Sequence, residues 1–309
     1  MKPSPLSQQQ PSRHSGVANA VAAYFMWGLA PIYFKLLADI GAGEILMHRV
    51  IWSSVFLLFL VIVSKKWSVL VVLCKQGHVI VKLSLSASVL AVNWLLFIWA
   101  VNNDHLLDAS LGYFINPLFN VALGMMFFSE KLRRNQKIAV GLAALGVFVQ
   151  LFTIGSLPIV SLALASSFAI YGLLRKKMQL DSFVGLLIES LLMLPLALLY
   201  WVVFVDSPTG NLASNSVNLN IILVMAGVVT TAPLLCFTAA AKRLSLSTLG
   251  FFQYIGPSMM FLLATFYYKE SMQLAEFITF VFIWSALALY SVDAFHNKKN
   301  ERKLIGTDQ

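Results

Sequence analysis

Charged residues are scarce in this sequence. Asp, Glu, Lys and Arg together make up 11% of the 309 residues, and 59% are hydrophobic, whereas soluble domains carry roughly 25% charged residues. The mean hydropathy is +0.80. This composition excludes a water-soluble fold. Apolar runs follow one another from residue 17 to residue 295, which indicates one membrane domain.

Cysteine and metal-binding motifs are also nearly absent. Cys74 lies in a basic connection and Cys236 in an apolar run, so a disulfide framework has no support. The five histidines are scattered and no HExxH motif occurs, which leaves a membrane-embedded transferase as a weaker alternative. No loop of the GxxxxGKS or GxxxxGKT type is present, so ATP use is unsupported. We expect no metal, no cofactor and no catalytic residue.

Apolar stretches of about 20 residues, the length that crosses the hydrocarbon core, predict an all-α protein with ten transmembrane helices. A tight turn at Gly155-Ser156 separates the fifth from the sixth, because one helix across it would be too long for the bilayer. The ten predicted spans are 17–37, 45–64, 83–101, 109–128, 138–154, 157–174, 183–205, 219–241, 246–268 and 275–294.

The basic residues predict the orientation of these spans. If the N-terminus is cytoplasmic, 19 of the 22 Lys and Arg residues lie in cytoplasmic segments, including the basic run 175–177, and only Lys269 lies in an outer connection. Positive charge resists translocation, so we place both termini on the cytoplasmic side of the inner membrane. The net charge of +9 then reflects helix anchors that contact anionic lipid, not a nucleic-acid surface.

An internal repeat divides the chain. Residues 111–117 (LGYFINP) are similar to 249–257 (LGFFQYIGP), and the same offset of 140 residues relates Glu130 to Glu270. Each copy holds five helices, an odd number, so the second copy is inverted in the membrane, as alternating access requires. We predict a disordered cytoplasmic tail at 1–16, five-helix repeats at 17–154 and 155–295, and a cytoplasmic tail at 296–309.

Several motifs together point to one family. They are AYFMWG at 23–28 with Pro31 and Phe34-Lys35, EILMHR at 44–49 with Trp52-Ser53, Asn93-Trp94, LGYFINPL at 111–118, and Ser167-Phe168-Ala169 with Tyr171-Gly172 and Arg175-Lys176. On these motifs the chain resembles the RarD branch of the EamA family, in the drug/metabolite transporter superfamily. The resemblance implies a ten-helix secondary transporter with a central cavity, an exporter that is a monomer or a homodimer, and leaves its substrate open.

Ionisable side chains within spans are costly, so each is a candidate for ion coupling or substrate binding. Glu44 and His48 share a helix face and lie beside Arg49. These three side chains could relay a proton or hold a polar substrate. Alternatively, Glu44 pairs locally with Arg49 or His48 and fixes the helix, which is the interpretation we favour for Glu44. Glu189 lies inside the seventh span and is either the coupling or substrate-facing acid or a neutral, hydrogen-bonded carboxylate. Lys35, at the end of the first span, is the remaining candidate.

Aromatic and amide side chains cluster near the middle of the spans, close to prolines that let helices bend. Aromatic walls with a few amides suit an amphipathic ligand, although such residues also serve helix packing and interfacial belts. We therefore predict export of a small organic metabolite or drug, with proton coupling as a hypothesis and import as the first alternative. The predicted substrate-binding residues are Trp27, Asn93, Trp94, Tyr113, Asn116, Tyr171, Gln253 and Tyr254.

Overall fold

The computed structural model describes residues 13–37, 39–102, 106–154, 159–204, 211–267 and 274–306. Within these ranges the chain forms helices and turns and no strand. The helices are α1 (Arg13–Lys35), α2 (Ala42–Val63), α3 (Trp67–Cys74), α4 (Gly77–Asn102), α5 (Leu106–Phe128), α6 (Arg134–Ile154), α7 (Ile159–Met178), α8 (Ser182–Phe204), α9 (Val217–Ala241), α10 (Leu246–Gln253), α11 (Ile255–Leu262) and α12 (Leu274–Gly306), with a π-helical turn at Leu263–Tyr267.

Seven of the described helices are long and apolar enough to cross a membrane, namely α1, α2, α4, α6, α7, α8 and α9. Shorter apolar stretches, Gly112–Phe128 and Phe277–Asp293, lie in α5 and α12. Large apolar side chains cover the outer surface of the bundle; Phe152 is 80% exposed and Val202 is 86% exposed, as expected of side chains that face lipid. The predicted class, an all-helical multi-pass membrane protein, is confirmed.

Several helix ends differ from the predicted ones. Helix α1 begins at Arg13, inside the predicted disordered tail, and α4 begins at Gly77 instead of residue 83. Helix α12 continues to Gly306, through most of the predicted C-terminal tail. The predicted turn at Gly155-Ser156 lies outside the described residues.

Helix α3 lies in the connection between α2 and α4, where the sequence predicts only a basic loop. It packs on α4 and α8, and its Leu70 and Leu73 are buried. Trp67 and Val72 are more than half exposed, and lysines flank both ends of the helix. At eight residues, α3 is far too short to span a bilayer.

The ninth predicted span, 246–268, is not one continuous helix. Helix α10 ends at Gln253 and α11 begins at Ile255, with Tyr254 between them. Pro257 contributes to the break, because it has no N–H to donate to the Gln253 carbonyl four residues earlier. Pro117 occupies the corresponding position of the repeat, yet α5 continues past it.

The helices pack in pairs across the bundle. Helix α1 packs against α9 and α11, α2 against α8 and α9, α4 against α7 and α8, α5 against α7 and α10, and α6 against α12. The largest buried cluster joins most of these helices and includes Tyr24, Tyr171 and Phe237. Gly227 brings α9 close to α2, since a Cβ at that position would lie only 2.8 Å from the Cβ of Trp52.

Candidate functional site: a central cavity

A cavity lies between α1, α2, α4, α5, α7, α9 and the junction of α10 with α11. Its empty volume, including the part open to solvent, is about 1100 Å³. Most of its lining surface is apolar, as is typical of small-molecule sites. Aromatic side chains form much of the wall, namely Tyr24, Trp27, Phe34, Trp94, Phe97, Tyr113 and Phe168.

Five of the eight predicted binding residues line this cavity. They are Trp27, Trp94, Tyr113, Asn116 and Gln253. The structure therefore brings residues from both halves of the chain to one space. Their contact with a ligand stays a prediction.

The other three predicted binding residues lie outside the cavity lining. The Nδ2 atom of Asn93 donates hydrogen bonds to the carbonyl oxygen of Leu164 and the hydroxyl of Ser167, both at 2.9 Å, and so links α4 to α7. The hydroxyl of Tyr254 donates to a backbone carbonyl of α5 at 3.3 Å. Tyr171 is fully buried. In this structure all three side chains contact neighbouring helices and do not line the cavity.

Arg49 is the only ionised side chain among the described residues that line the cavity. Its Nε atom donates to the hydroxyl of Thr230 at 2.9 Å. Its guanidinium carbon lies 4.8 Å from the centroid of the Trp94 ring and 5.5 Å from that of the Phe34 ring. Within the described residues no ion pair joins Arg49 to Glu44, so the local pairing considered from the sequence is not observed between these two groups.

The other ionisable candidates of this region do not line the cavity. Glu44 is buried, and its Oε1 atom has no hydrogen-bond partner among the described residues. His48 is buried beside Trp201, and its Nδ1 atom accepts a hydrogen bond from the indole N–H of Trp52 at 3.3 Å. Lys35 is exposed at the end of α1.

Glu189 forms a buried ion pair with Arg175. The Nη1 atom of Arg175 lies 3.4 Å from Oε1 of Glu189, and the two side chains are 2% and 1% exposed. The hydroxyl of Tyr171 donates to Oε2 of Glu189, also at 3.4 Å. Gly185, one turn before Glu189, leaves room for the guanidinium, since a Cβ there would lie 2.5 Å from Nη1. Arg175 is therefore not in contact with lipid, and the prediction that it anchors the helix against anionic lipid is wrong.

A smaller space of about 270 Å³ adjoins Glu189. Trp94, Thr230 and Leu234 line both this space and the central cavity. These shared side chains separate the space beside Glu189 from the central cavity.

Three amides connect the two halves of the chain beside the cavity. The Nδ2 atom of Asn120 donates to Oδ1 of Asn116 at 3.1 Å and to Oε1 of Gln253 at 3.0 Å. Asn116 donates to the backbone carbonyl of Ala165 on α7. Asn120 is missing from the predicted set, although it follows Asn116 by one helical turn on the same face.

Polar contacts close the end of the bundle that carries most Lys and Arg residues, which we call the basic end. The carboxylate of Glu130 accepts hydrogen bonds from the backbone N–H groups of Leu246 and Ser247, at 2.7 and 2.9 Å, and from the Ser247 hydroxyl at 2.7 Å. Lys176 donates to the carbonyl of Leu244. The cavity-lining residues of α1, α4, α5 and α7 lie in the opposite halves of those helices.

Two ion pairs also lie at the basic end. The Nζ atom of Lys66 is 2.6 Å from Oδ2 of Asp181, and Nη2 of Arg133 is 2.5 Å from Oδ2 of Asp293. Asp181 also accepts a hydrogen bond from the backbone N–H of Val184 at 3.2 Å. Burial alone would raise the pKa of Asp181, but the hydrogen bonds from Lys66 and Val184 and the charge of Lys66 hold the pKa below its usual range.

Comparison with known proteins places this architecture among membrane transporters. Residues 14–152 match the EamA-like transporter family. Protein RarD of Escherichia coli (strain K12) is 54% identical over 288 residues, which are 93% of this chain and 97% of that protein. An uncharacterized transporter of Vibrio cholerae is also 54% identical, over 93% of this chain and 95% of its own. A crystal structure with 16% identical residues matches with a TM-score of 0.72 over 92% of this chain and 99% of its own. At that identity the match shows a shared fold alone.

Proposed function

Because this chain belongs to the RarD branch of the EamA-like transporter family, we propose that it is a secondary transporter that works by alternating access. Its cargo is a small organic metabolite or drug, which it exports across the bacterial inner membrane. The central cavity carries this proposal, because it has a largely aromatic lining with a few polar side chains and takes its walls from both halves of the chain.

We infer ten spans in two inverted repeats, α1, α2, α4, α5 and α6, then α7, α8, α9, α10 with α11, and α12. The packing of the helices supports this inference. The counterparts are α1 and α7, α2 and α8, α4 and α9, α5 and the pair α10 with α11, and α6 and α12. Exchanging each helix for its counterpart turns the packed pair α1–α9 into α7–α4 and the pair α2–α9 into α8–α4. It also turns the pair α5–α7 into α11–α1. The pairs α2 and α8, α5 and α10, and α6 and α12 map onto themselves, and all of these packings are present.

The position of the cavity supports alternating access. With both termini in the cytoplasm, the basic end faces inward and the cavity lies toward the periplasm. Contacts such as those of Glu130 and Lys176 then close the cytoplasmic end. Inverted repeats provide a second conformation in which the two halves exchange roles. In that conformation these contacts open and the cavity faces the cytoplasm.

We propose that the pair of Glu189 with Arg175 couples transport to protons. Protonation of the Glu189 carboxylate would leave the charge of Arg175 buried without a partner, which is strongly unfavourable. The packing around the pair would then change, and Trp94 and Thr230 would carry that change to the cavity. Glu44 and His48 are further candidates for the proton path, because both are buried ionisable groups.

Flux measurements in proteoliposomes test the transport proposal. We expect purified protein to move at least one member of a labelled metabolite panel, and an imposed pH gradient to alter that flux. Accumulation in the direction of import under a physiological gradient would favour the importer alternative. No flux across the panel, from protein that unfolds cooperatively on heating, would contradict transport.

The variant Glu189→Gln tests the coupling proposal. It keeps the shape of the side chain and removes its charge, so we expect exchange of cargo without a gradient to continue and the response to the pH gradient to be lost. Asp39→Asn is the matched control, since Asp39 is an exposed carboxylate in the turn after α1. Full gradient-driven transport by Glu189→Gln would exclude the coupling role.

A further inference from the structure

We propose that the central cavity binds a small organic anion, with its carboxylate on Arg49 and its apolar body among the aromatic side chains. The proposal rests on the transport function above and names the class of its cargo.

The charge of the cavity is the first argument. Among the described residues that line it, Arg49 is ionised and no Asp or Glu is present. A charge within a membrane protein is costly unless it is paired. The Glu189 carboxylate is already paired with Arg175, and no described carboxylate lies within ion-pair distance of Arg49. An anionic ligand would supply the missing partner.

The hydrogen-bond donors of Arg49 are the second argument. A guanidinium carries five N–H donors in a planar fork. Thr230 accepts from the Nε atom, and the four N–H groups on the two terminal nitrogens have no acceptor in the part of the chain that the structure describes. These terminal groups fit the two oxygens of a carboxylate in a bidentate pair. The guanidinium carbon also lies 4.8 Å from the centroid of the Trp94 ring, a cation–π contact that favours a charged arginine at this position.

The rest of the cavity wall suits an apolar body. Trp27 and Phe168 meet edge to face with ring centroids 5.6 Å apart, and both line the cavity. Flat aromatic surfaces of this kind bury a large apolar area. Asn116 and Gln253 supply amide groups at the α5 and α10 walls. The expected cargo is therefore amphipathic, with one acidic group and an apolar or aromatic remainder.

Three probes of the same size test the charge preference, namely 3-phenylpropanoate, 3-phenylpropanamide and 3-phenylpropylamine. Binding is measured by equilibrium dialysis with the full-length protein in lipid nanodiscs, without any gradient. We expect the carboxylate to bind at least tenfold more tightly than the amide, which corresponds to about 1.4 kcal/mol, and the amine to bind most weakly.

Substitutions of Arg49 test the assignment. Arg49→Gln should abolish the preference for the carboxylate, and Arg49→Lys should retain part of it, because a lysine keeps the charge but not the planar fork. Lys82→Gln is the control, since it removes one positive charge from an exposed position on α4. It should bind all three probes like the native protein.

Three results would overturn the proposal. They are equal binding of the carboxylate and the amide, an unchanged preference in folded Arg49→Gln, and no carboxylate binding at millimolar concentration, the weak end of metabolite affinities. Each leaves the proposed function intact if proteoliposomes still transport neutral or cationic cargo. Conversely, anion binding without any flux would contradict transport and keep the anion site.

Discussion

Glu130 joins the two halves of the chain at the basic end, and its removal should both destabilise the fold and favour the alternate conformation. Its carboxylate accepts three hydrogen bonds at the first turn of α10, two from backbone N–H groups and one from the Ser247 hydroxyl. A carboxylate at a helix N-terminus also interacts favourably with the helix dipole. The perturbation is Glu130→Ala.

The structure sets the size of the expected effect. Hydrogen bonds to a charged group contribute about 1.5–3 kcal/mol each when buried, but Glu130 is only partly buried. Ser245 would still cap α10 by accepting from the backbone N–H of Thr248 at 3.1 Å. We therefore expect a loss of about 2 kcal/mol, at the upper end of the range for lost helix caps. This energy corresponds to an approximately 30-fold change in a two-state equilibrium.

Two measurements check this reasoning. The first is thermal unfolding in detergent, where Glu130→Ala should unfold at a lower temperature. The second is labelling of Tyr113→Cys by a membrane-impermeant maleimide added on the side that the proposed orientation makes periplasmic, after Cys74 and Cys236 have been replaced. Tyr113 lines the cavity and is 37% exposed. Labelling should slow in Glu130→Ala because the cavity faces outward for less of the time.

Asp39→Ala is the control, because it removes an exposed carboxylate far from α10 in the sequence. If Glu130→Ala unfolds and labels at the same temperature and rate as this control, Glu130 does not hold the basic end closed. A lower unfolding temperature with unchanged labelling would refute the conformational part of the reasoning and leave the capping role.

Two further predictions concern helix contact and pH. Gly227→Ala should destabilise the protein by about 1–3 kcal/mol, because the added Cβ would collide with Trp52. Gly141→Ala is the control and should not destabilise the protein, because the space at that position is open. Equal thermal unfolding of the two variants would contradict this prediction. The pKa of Asp181 is lower in the folded protein than in the unfolded chain. The ion pair of Asp181 with Lys66 therefore stabilises the fold fully when the pH is above the unfolded pKa of about 4. This stabilisation is lost as the pH falls through the lower pKa of the folded state. Asp181→Asn should therefore lose less thermal stability than the native protein on acidification through that window, and parallel losses would refute the assignment.

The sequence predicts the membrane class well because it depends on the length and the apolar character of the runs. The break in the ninth predicted span is harder to predict. Pro257 is visible in the sequence, but Pro117 has the same position in the first repeat and lies within a continuous α5. Proline removes one hydrogen bond in both cases, and tertiary packing decides whether the helix stops.

Cavity residues are only partly predictable for a different reason. Lipid is as apolar as the interior of the bundle, so hydrophobic periodicity does not tell which helix face points inward. Amide and aromatic types alone select Trp94 and Gln253, which line the cavity, and equally Asn93 and Tyr254, which do not. Thr230, the partner of Arg49, carries no sequence signal that distinguishes it from other threonines in apolar helices.

Arg175 shows that a run of basic residues does not place every member of the run at the lipid surface. It begins a run of three basic residues, which is typical of a cytoplasmic anchor. Successive residues of a helix differ by about 100° in direction, so one member of such a run faces the bundle. Lys177 is exposed, whereas Arg175 is buried against Glu189. The sequence feature that indicates a buried Arg175 is its four-residue spacing from Tyr171, whose hydroxyl also donates a hydrogen bond to the Glu189 carboxylate.

We expect helix α3 to set the depth of the molecule in the bilayer. Its exposed Trp67 and Val72 and the lysines at its ends suit a helix that lies flat among lipid headgroups, while Leu70 and Leu73 attach it to α4 and α8. Any tilting of α4 or α8 relative to the membrane plane must therefore drag α3 through the headgroup layer. The energy of that displacement depends on headgroup charge and bilayer thickness, so we expect lipid composition to influence the proposed exchange of cavity access.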